Sequence, residues 1–293
     1  MELIATRASA LAMVQARQVR DRLAVVHPDR PLDLIEIRTS GDRLQDISLE
    51  GLEGTGFFTD ALEEALLAGQ AALAVHSLKD LPVQLGEQFT VAAVLQREDP
   101  RDVLVSRYGG LRLLPPGARV GTDSSRRRAQ VALARPDLVF DPVRGNVPTR
   151  LAKLDAGEYD ALILAAAGLN RLGLGWRATE SLGPEVCLPA PGQGAIAIET
   201  LKDSPWAQLV LSINDAPTQA AVSAERAFLA GLGGGCRTPI GALAEVSGNE
   251  LRLTGIVVGP EGVQRVTVAG RIEDALALGG QAAQAALAQG ARP

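Results

Sequence analysis

The feature that most constrains the fold is an alternation of short apolar runs with amphipathic segments of helical period. In the first part of the chain, strands are predicted at residues 2–7, 32–38, 71–77 and 89–95. Helices are predicted between them at residues 9–26, with Ser9 as the N-cap, and at residues 57–69, which end at Gly69. Alternating strands and helices are typical of an α/β layer built on a largely parallel sheet.

The same alternation starts again after residues 97–102. Strands are predicted at residues 118–122, 138–140 and 159–167, and helices at residues 124–134 and 147–156. A second α/β domain of similar size is therefore expected. If the strand predicted at residues 195–200 returns to the first sheet, two crossings of the chain form a hinge.

A third region begins near residue 216 and has a different pattern. Helices are predicted at residues 217–231 and 273–289, and strands at residues 241–247, 251–258 and 263–270. Three antiparallel strands with a helix at each end make a small α+β domain. The predicted domains are residues 1–97 with 195–215, residues 98–194, and residues 216–293.

Composition excludes several classes of protein. The longest apolar run, residues 161–169, is far shorter than the roughly 20 residues of a membrane helix, and the N-terminus lacks a signal-peptide layout. Two cysteines and two histidines fit neither a Cys/His zinc cluster nor a disulfide framework. The net charge of −5 argues against binding to nucleic acid or to a membrane surface. We therefore expect a cytoplasmic protein without a metal.

The basic residues are almost all arginine. Of 29 basic residues, only Lys79, Lys153 and Lys202 are lysine. Genome base composition or heat tolerance explains such a bias without reference to function. A ligand rich in carboxylates or phosphates also favours arginine, because the planar guanidinium group binds such anions through two hydrogen bonds. The positions of the arginines along the chain distinguish between these explanations.

Three consecutive arginines stand at a predicted helix start in GTDSSRRRAQ, residues 121–130. Positive side chains in the first turn oppose the helix dipole, so stability does not explain the arrangement, whereas an anionic ligand docked there would. The segment lacks the spacing of a Walker phosphate loop. Further arginines follow the next strands at corresponding loop positions. The predicted anion-binding patch comprises Arg126, Arg127, Arg144, Arg150 and Arg171.

The first region offers two strand-end sites. Arg7 and Ser9 lie where a strand ends and a helix begins, which suits an anion, although capping by Ser9 and a solvated Arg7 explain them equally. The segment HSLKD follows a buried strand at the edge where open α/β sheets bind ligands. Asp80 beside Lys79 forms either a surface ion pair or a carboxylate that moves a proton or stabilises a developing cation. His76 is expected to be packed rather than catalytic.

The two cysteines stand in different surroundings. Cys236 ends a run of three glycines, which lets the backbone approach a ligand and leaves the thiol exposed, so covalent chemistry is the favoured interpretation. Cys187, between Val186 and Leu188, is expected in the core. Two histidines in the chain disfavour a protease-like triad. Residues 39–56 have no sustained period and are interpreted as a functional lid rather than a disordered insert.

The chain resembles the porphobilinogen deaminase (hydroxymethylbilane synthase) family over essentially its whole length. The resemblance rests on collinear segments: IATRASALA (4–12), AVHSLKDLP (74–82), EDPRD (98–102), GTDSSRRRAQ (121–130), RGNVPTRLAKLDAGEYDALILAAAGLNRLGL (144–174), LPAPGQGA (188–195) and GGGCRTPIG (233–241). It implies two α/β domains like those of periplasmic anion-binding proteins, and a third domain that carries the cofactor cysteine. It also implies a monomer.

The resemblance implies a transferase that joins four porphobilinogen molecules head to tail with loss of ammonia, and releases hydroxymethylbilane. Each chain would carry one dipyrromethane primer on Cys236 through a thioether, with Asp80 as the catalytic carboxylate. The implied cofactor contacts are Ser9, Asp42, Ser77, Lys79, Thr122, Ser124, Arg126 and Arg127, and the implied substrate-binding residues are Arg7, Arg144, Arg150 and Arg171. Every pyrrole brings an acetate and a propionate, so the growing chain is a polyanion that needs cationic partners.

Some positions depart from the family pattern. Ser40, Thr55 and Asp60 stand where members of the family often have cations, and Ser125 replaces a common leucine.

The sequence also leaves two other functions open. A non-enzymatic two-lobed anion-binding protein would explain the arginines and the hinge, but not Cys236 or a third domain. A nucleic-acid binder would fit the arginine run, but neither the net charge nor the 3% of aromatic residues.

Overall fold

The computed structural model describes residues 2–39, 59–233 and 239–292, and the chain divides into two compact units. The first unit comprises Met1–Arg97 and Ala195–Gln219. The second unit comprises Glu98–Gly194 and Ala220–Pro293. Each unit is thus built from two separate stretches of chain, and the division into three domains stays a prediction.

Strands and helices alternate through most of the chain. The strands are β1 (Glu2–Arg7), β2 (Leu32–Ile37), β3 (Leu73–Ser77), β4 (Phe89–Val94), β5 (Asp102–Ser106), β6 (Arg119–Gly121), β7 (Val139–Asp141), β8 (Ala161–Ala165), β9 (Glu180–Leu182), β10 (Ile196–Leu201), β11 (Ile240–Ser247), β12 (Glu250–Gly259) and β13 (Gly262–Arg271). The α-helices are α1 (Ala10–Val26), α2 (Asp60–Leu67), α3 (Ser125–Ala134), α4 (Val147–Asp155), α5 (Ala166–Arg171), α6 (Pro205–Leu209), α7 (Ala216–Gly231) and α8 (Ala275–Ala288).

The sheet of the first unit has the strand order β2–β1–β3–β10–β4. β1 pairs in parallel with β2 and β3, whereas β10 runs antiparallel to both β3 and β4. One face of the sheet packs on α1 and α6 through Val19 and Trp206, and the other packs on α2 through Leu62. Because β1 and β3 are parallel, the loops that follow them lie at the same edge of the sheet.

The second unit contains a sheet of similar design, with the order β7–β6–β8–β5–β9. β6 pairs in parallel with β7 and β8, and β5 runs antiparallel to β8 and β9. Val120, Ile163 and Leu104 are buried on one face, and Leu162 and Leu154 on the other. The loops after β6, β7 and β8 therefore share one edge, where the sequence places its arginines.

The C-terminal part of the second unit is a three-stranded antiparallel sheet, β11–β12–β13, covered by α7 and α8. Phe228 of α7 is fully buried against Gly255 of β12, at which an added Cβ would lie 2.4 Å from the Phe228 ring. The helices also approach closely, since a Cβ at Gly279 would lie 2.3 Å from the Ala224 carbonyl oxygen. Small residues at these points allow the helices to pack closely.

The predicted fold class is confirmed: two α/β sheets and a small α+β region. Two details differ. The strand predicted at residues 159–167 ends at Ala165, and α5 begins at Ala166, because a buried apolar run fits a strand or a helix equally. The short elements β5, β9 and α6 were not predicted. Within the described ranges, no helix has the length and apolarity needed to span a bilayer.

Candidate active site

Asp80 lies at the edge of the first sheet that receives the ends of β1 and β3. β3 ends at Ser77 and runs directly into a 3-10 helix, Leu78–Asp80. Leu78 is buried, and its backbone N–H donates to the Ala195 carbonyl oxygen at 3.0 Å, whereas Asp80 is exposed and Lys79 half-buried. The short helix therefore fixes the backbone through Leu78 and presents the Asp80 carboxylate to solvent.

The strand that leads to Asp80 is held on both faces. On one face, Gln15 of α1 donates from Nε2 to the Ser77 Oγ at 2.8 Å. On the other, the buried side chains of His76 and Glu199 are in contact, with 2.9 Å between Nε2 and Oε2, although the contact lacks hydrogen-bond geometry. His76 is thus packed against β10, as the sequence predicts. Ser77, predicted to contact the cofactor, is here a link between β3 and α1.

Arg7 and Ser9 lie at the same edge, after β1. The Ser9 side chain caps α1 by accepting a hydrogen bond from the Ala12 N–H at 3.3 Å. Arg7 is the last residue of β1 and is half-buried. The capping interpretation of Ser9 is confirmed, and contacts of either residue with a ligand stay predictions.

In the second unit, Arg126 and Arg127 share one buried carboxylate, that of Asp102. Arg126 donates from Nη1 to Asp102 Oδ2 at 2.7 Å, and Arg127 donates from Nε and Nη2 to Oδ1 at 2.9 and 2.7 Å. Gln193 Nε2 also donates to Oδ1, at 2.9 Å, and the Cys187 thiol lies 3.3 Å from Oδ2. Asp102 is 0% exposed, and the two arginines 6% and 8%. The anion that both arginines meet here is a protein side chain.

The electrostatics of this buried group are set by its pairing. Burial by itself would raise the pKa of Asp102, but the charges of Arg126 and Arg127 outweigh it and hold the pKa well below its usual range. Burial lowers the pKa of Arg126, and Asp102 more than restores it, so the pKa is raised overall. Burial and the neighbouring Asp102 raise the pKa of the Cys187 thiol to about 12. At neutral pH the group therefore holds two positive charges, one negative charge and a neutral thiol.

The start of α3 gathers three of the other predicted residues. The Ser124 side chain caps the helix by accepting from the Arg127 N–H at 3.3 Å, and the Thr122 Oγ1 accepts from the Ser124 N–H at 3.3 Å. Arg144, from the loop after β7, forms an ion pair with Asp123 at 3.1 Å, both side chains being about 30% exposed. The loops after β6 and β7 are therefore in contact.

Arg150 and Arg171 lie in the loops and helices after β7 and β8. Arg150 of α4 donates from Nε to the Gly145 carbonyl oxygen at 2.7 Å. Arg171, at the end of α5, donates from Nη2 to the Gly194 carbonyl oxygen at 2.7 Å. Burial lowers the pKa of Arg171, an effect that Glu98 partly offsets. Asp42, Cys236 and most of the predicted lid lie outside the described residues, as do Ser40 and Thr55.

The sequence interpretation missed Asp102. Its motif, EDPRD, contributed to the resemblance but was given no chemical role. The available signal was an acidic residue at the head of the apolar run DVLV together with three consecutive arginines, which outnumber the one acid of their own motif, Asp123. An open cavity of about 940 Å³ in the first unit includes Glu2, Trp206 and Ala72, at the sheet edge opposite Asp80, and no predicted residue lines it. Among the described residues, no group of three His, Cys, Asp or Glu side chains could hold a metal ion.

The fold and these residues define an α/β protein with an exposed carboxylate at a strand end of the first unit and a buried pair of guanidinium groups at a strand end of the second. Family models identify it further. Residues 3–208 match "Porphobilinogen deaminase, dipyromethane cofactor binding domain", and residues 219–288 match "Porphobilinogen deaminase, C-terminal domain". The chain belongs to the porphobilinogen deaminase family.

Individual relatives of the chain belong to the same family. Porphobilinogen deaminase of Bordetella parapertussis is 48% identical over 292 residues, covering 98% of this chain and 93% of its own. That of Nitrobacter hamburgensis is 50% identical over 287 residues, covering 96% and 91%. Among solved structures, the periplasmic VFT2 domain of BvgS from Bordetella pertussis matches with a TM-score of 0.41 and 15% identity over 72% of this chain and 84% of that one. Substrate-binding domain 2 of GlnP from Lactococcus lactis matches with a TM-score of 0.42 and 12% identity, covering 73% and 85%.

The donors of the second unit fit a dipyrromethane group, whose carboxylates need cationic partners. Within the described residues, Arg126 uses only Nη1, toward Asp102, Cys187 and the Leu188 carbonyl oxygen, and its Nε and Nη2 groups bond to none of them. A guanidinium edge with Nε and Nη2 side by side matches the two oxygens of a carboxylate. The buried group is also left with a net positive charge, which favours an anion over a neutral ligand.

Proposed function

We propose that this chain is a hydroxymethylbilane synthase. It joins four porphobilinogen molecules head to tail, with loss of one ammonia each, and releases the linear tetrapyrrole by hydrolysis. Membership of the family supports this activity. In the proposal, a dipyrromethane primer is bound to Cys236 through a thioether, and it supplies the end to which the first substrate is joined.

Asp80 is proposed as the catalytic carboxylate. Loss of ammonia from the aminomethyl group of the substrate leaves an electron-poor azafulvenium cation. A carboxylate beside that cation stabilises it and accepts hydrogen bonds from pyrrole N–H groups. The position of Asp80, exposed on a 3-10 helix whose buried Leu78 anchors it to the sheet, supports this role, and it is the single observation that carries the proposal.

The arginines are proposed to bind the acetate and propionate groups. In the second unit this role falls to the predicted patch: Arg126, Arg127, Arg144, Arg150 and Arg171. Arg7 is proposed to do the same in the first unit, with Lys79, Ser9, Ser77, Asp42, Thr122 and Ser124 near the primer. A hydrogen bond to a charged group contributes about 1.5–3 kcal/mol, so several such contacts hold a polyanion firmly.

Intact-protein mass spectrometry tests the covalent part. Protein purified from a host that makes haem is expected to exceed its sequence mass by two pyrrole units, and the Cys236→Ser variant to lack this excess. A wild-type protein of unmodified mass that does not consume porphobilinogen would instead support a non-enzymatic anion-binding protein. Either result separates the two function classes.

The Asp80→Asn variant tests the catalytic part. The amide cannot stabilise a cation as a carboxylate does, so turnover is expected to fall at least about 100-fold. The primer mass and the melting temperature are expected to stay unchanged, because Asp80 is exposed. Asp203→Asn, an exposed acid of the same unit, is the matched control. Near-normal turnover of Asp80→Asn would refute the role of Asp80.

The proposal includes a monomeric, cytoplasmic enzyme without nucleic-acid or membrane partners. The net charge of −5 supports the lack of nucleic-acid binding. Light scattering during gel filtration measures the mass in solution, and a dimer mass would contradict the monomer.

A further inference from the structure

Asp102 is the centre of the buried group in the second unit. It is the first residue of β5, and its fully buried carboxylate accepts from Arg126, Arg127 and Gln193 at 2.7–2.9 Å. The two carboxylate oxygens have different donors: Oδ2 accepts a hydrogen bond from Arg126, and Oδ1 accepts hydrogen bonds from Arg127 and Gln193. One carboxylate therefore fixes two guanidinium planes relative to each other.

The group is further braced by the backbone around it. Arg126 Nη1 also donates to the Leu188 carbonyl oxygen at 2.7 Å, and Arg127 Nη1 donates to the Ile163 carbonyl oxygen at 3.0 Å. Gln130 holds the same Leu188, donating to its carbonyl oxygen at 3.1 Å and accepting from its N–H at 2.7 Å. These bonds join α3 to β8 and to the segment after β9. Side chains locked in this way keep their positions when a ligand arrives.

The two arginines differ in what they leave for a ligand. Arg127 directs Nε and Nη2 to Asp102 and Nη1 to Ile163, so its Nε–Nη2 edge is occupied and only the second N–H groups of Nη1 and Nη2 remain for a ligand. Arg126 is held through Nη1, and its Nε–Nη2 edge makes no hydrogen bond to any residue that the structure describes. That edge has the geometry of a carboxylate-binding fork.

We propose that Asp102 is a positioning residue for the reaction: it holds Arg126 and Arg127 as one rigid, singly charged unit whose open edge on Arg126 receives one carboxylate of an acidic pyrrole. The inference rests on the proposed function and adds a residue to it. Asp102 itself contacts no ligand. Its negative charge offsets one of the two buried positive charges, and its hydrogen bonds fix the orientation of both guanidinium groups.

The Asp102→Asn variant tests this role. The amide keeps the shape of the side chain, but its NH2 group faces an arginine, so the guanidinium planes lose their common anchor. The expected result is a loss of about tenfold in the fraction of protein that carries the primer mass, with a rise of about tenfold in the KM of the loaded fraction and a smaller change in kcat. Asp99→Asn removes the acid of a surface ion pair, Arg101–Asp99, and is expected to change none of these quantities.

A second variant covers the case in which Asp102→Asn does not fold. Gln193→Leu removes one donor to Asp102 and leaves both ion pairs and all charges in place. It is expected to raise KM about threefold with little change in kcat; the melting temperature is expected to fall as well, because the Pro100 carbonyl oxygen also loses its donor, but a purely structural role would lower the melting temperature without raising KM.

The outcomes are distinguishable. Full primer loading and a KM within twofold of wild type in folded Asp102→Asn would overturn the proposal, and the same result in Gln193→Leu would do so if Asp102→Asn does not fold. Asp102→Glu, which keeps the charge, is expected to recover part of the loading. If wild-type protein carries no primer mass and has no turnover, the proposed function fails whatever the variants do. Loading and turnover in the wild type, unchanged in the variants, refute only the role of Asp102.

Discussion

Glu225 provides the sharpest test of how the second unit is held together. This fully buried carboxylate of α7 accepts from the Gly192 N–H through Oε2 at 2.7 Å and from the Ala244 N–H through Oε1 at 2.8 Å. It therefore ties α7 to β11 and to the glycine-containing segment that follows β9. In Glu225→Gln, one oxygen remains, but the amide NH2 replaces the other acceptor and one buried N–H loses its partner.

The expected loss in the free energy of unfolding follows from those two hydrogen bonds. A hydrogen bond to a charged group contributes about 1.5–3 kcal/mol, and an unsatisfied buried donor costs about 1–3 kcal/mol. Because the two terms overlap, we expect a loss of about 2–4 kcal/mol in the free energy of unfolding of the second unit. For a cooperative unit of about 150–250 residues, 1 kcal/mol corresponds to about 2–4 °C in melting temperature.

Differential scanning calorimetry measures this loss directly. The expected shift of the transition is about 5–15 °C downward. Glu245→Gln is the matched control, because Glu245 is exposed on β11, next to the Ala244 that donates to Glu225. If Glu225→Gln melts within about 1 °C of Glu245→Gln, the two hydrogen bonds do not stabilise the unit and the reasoning is wrong.

Two more predictions concern the same unit. Cys187 is fully buried with a pKa of about 12, so iodoacetamide at pH 8 is expected to leave it unlabelled in the folded protein and to label it after unfolding; rapid labelling of folded protein would contradict its burial. Between about pH 9 and 12 the unfolded thiol ionises while the folded one stays protonated, so this residue lowers stability as pH rises through that window, and Cys187→Ala is expected to lose that part of the pH dependence. Gly255→Ala would place a Cβ 2.4 Å from the Phe228 ring and is expected to cost about 1–3 kcal/mol by urea unfolding, with partial recovery in the double variant Gly255→Ala/Phe228→Leu. No loss in Gly255→Ala would mean that the ring can move aside.

Periodicity and caps were enough to predict most of the elements. Ser9 at the start of α1 and the alternation in β2 carry strong local signals, and both are found where they were expected. Short strands carry little signal: β9 has 3 residues, too few to show a period. The change from β8 to α5 at Ala166 was not predictable, because a buried apolar run has the same composition in either state.

The candidate site was predictable only in part. Strand ends pointed to Asp80 and to the arginines, because parallel strands place their following loops at one edge. The sequence could not say that Arg126 and Arg127 meet a protein carboxylate, since Asp102 is separated from them by 24 and 25 residues and reaches them only through the sheet. Pairing across a sheet depends on strand order, which one sequence without relatives does not contain. The roles of the individual site residues stay predictions.

The position of β10 has a consequence for how the chain matures during synthesis. All the strands of the second α/β sheet have been made once Leu182 leaves the ribosome, whereas the sheet that begins at Glu2 still lacks the strand between β3 and β4 until Leu201 follows. The N-terminal sheet is therefore the later of the two to be completed, in contrast to the usual order in which the N-terminal part folds first. Until β10 is made, the edges of β3 and β4 that pair with it have no partner strand. A nascent chain halted between Leu182 and Leu201 would therefore contain all strands of the second sheet but would lack the complete β10 of the first.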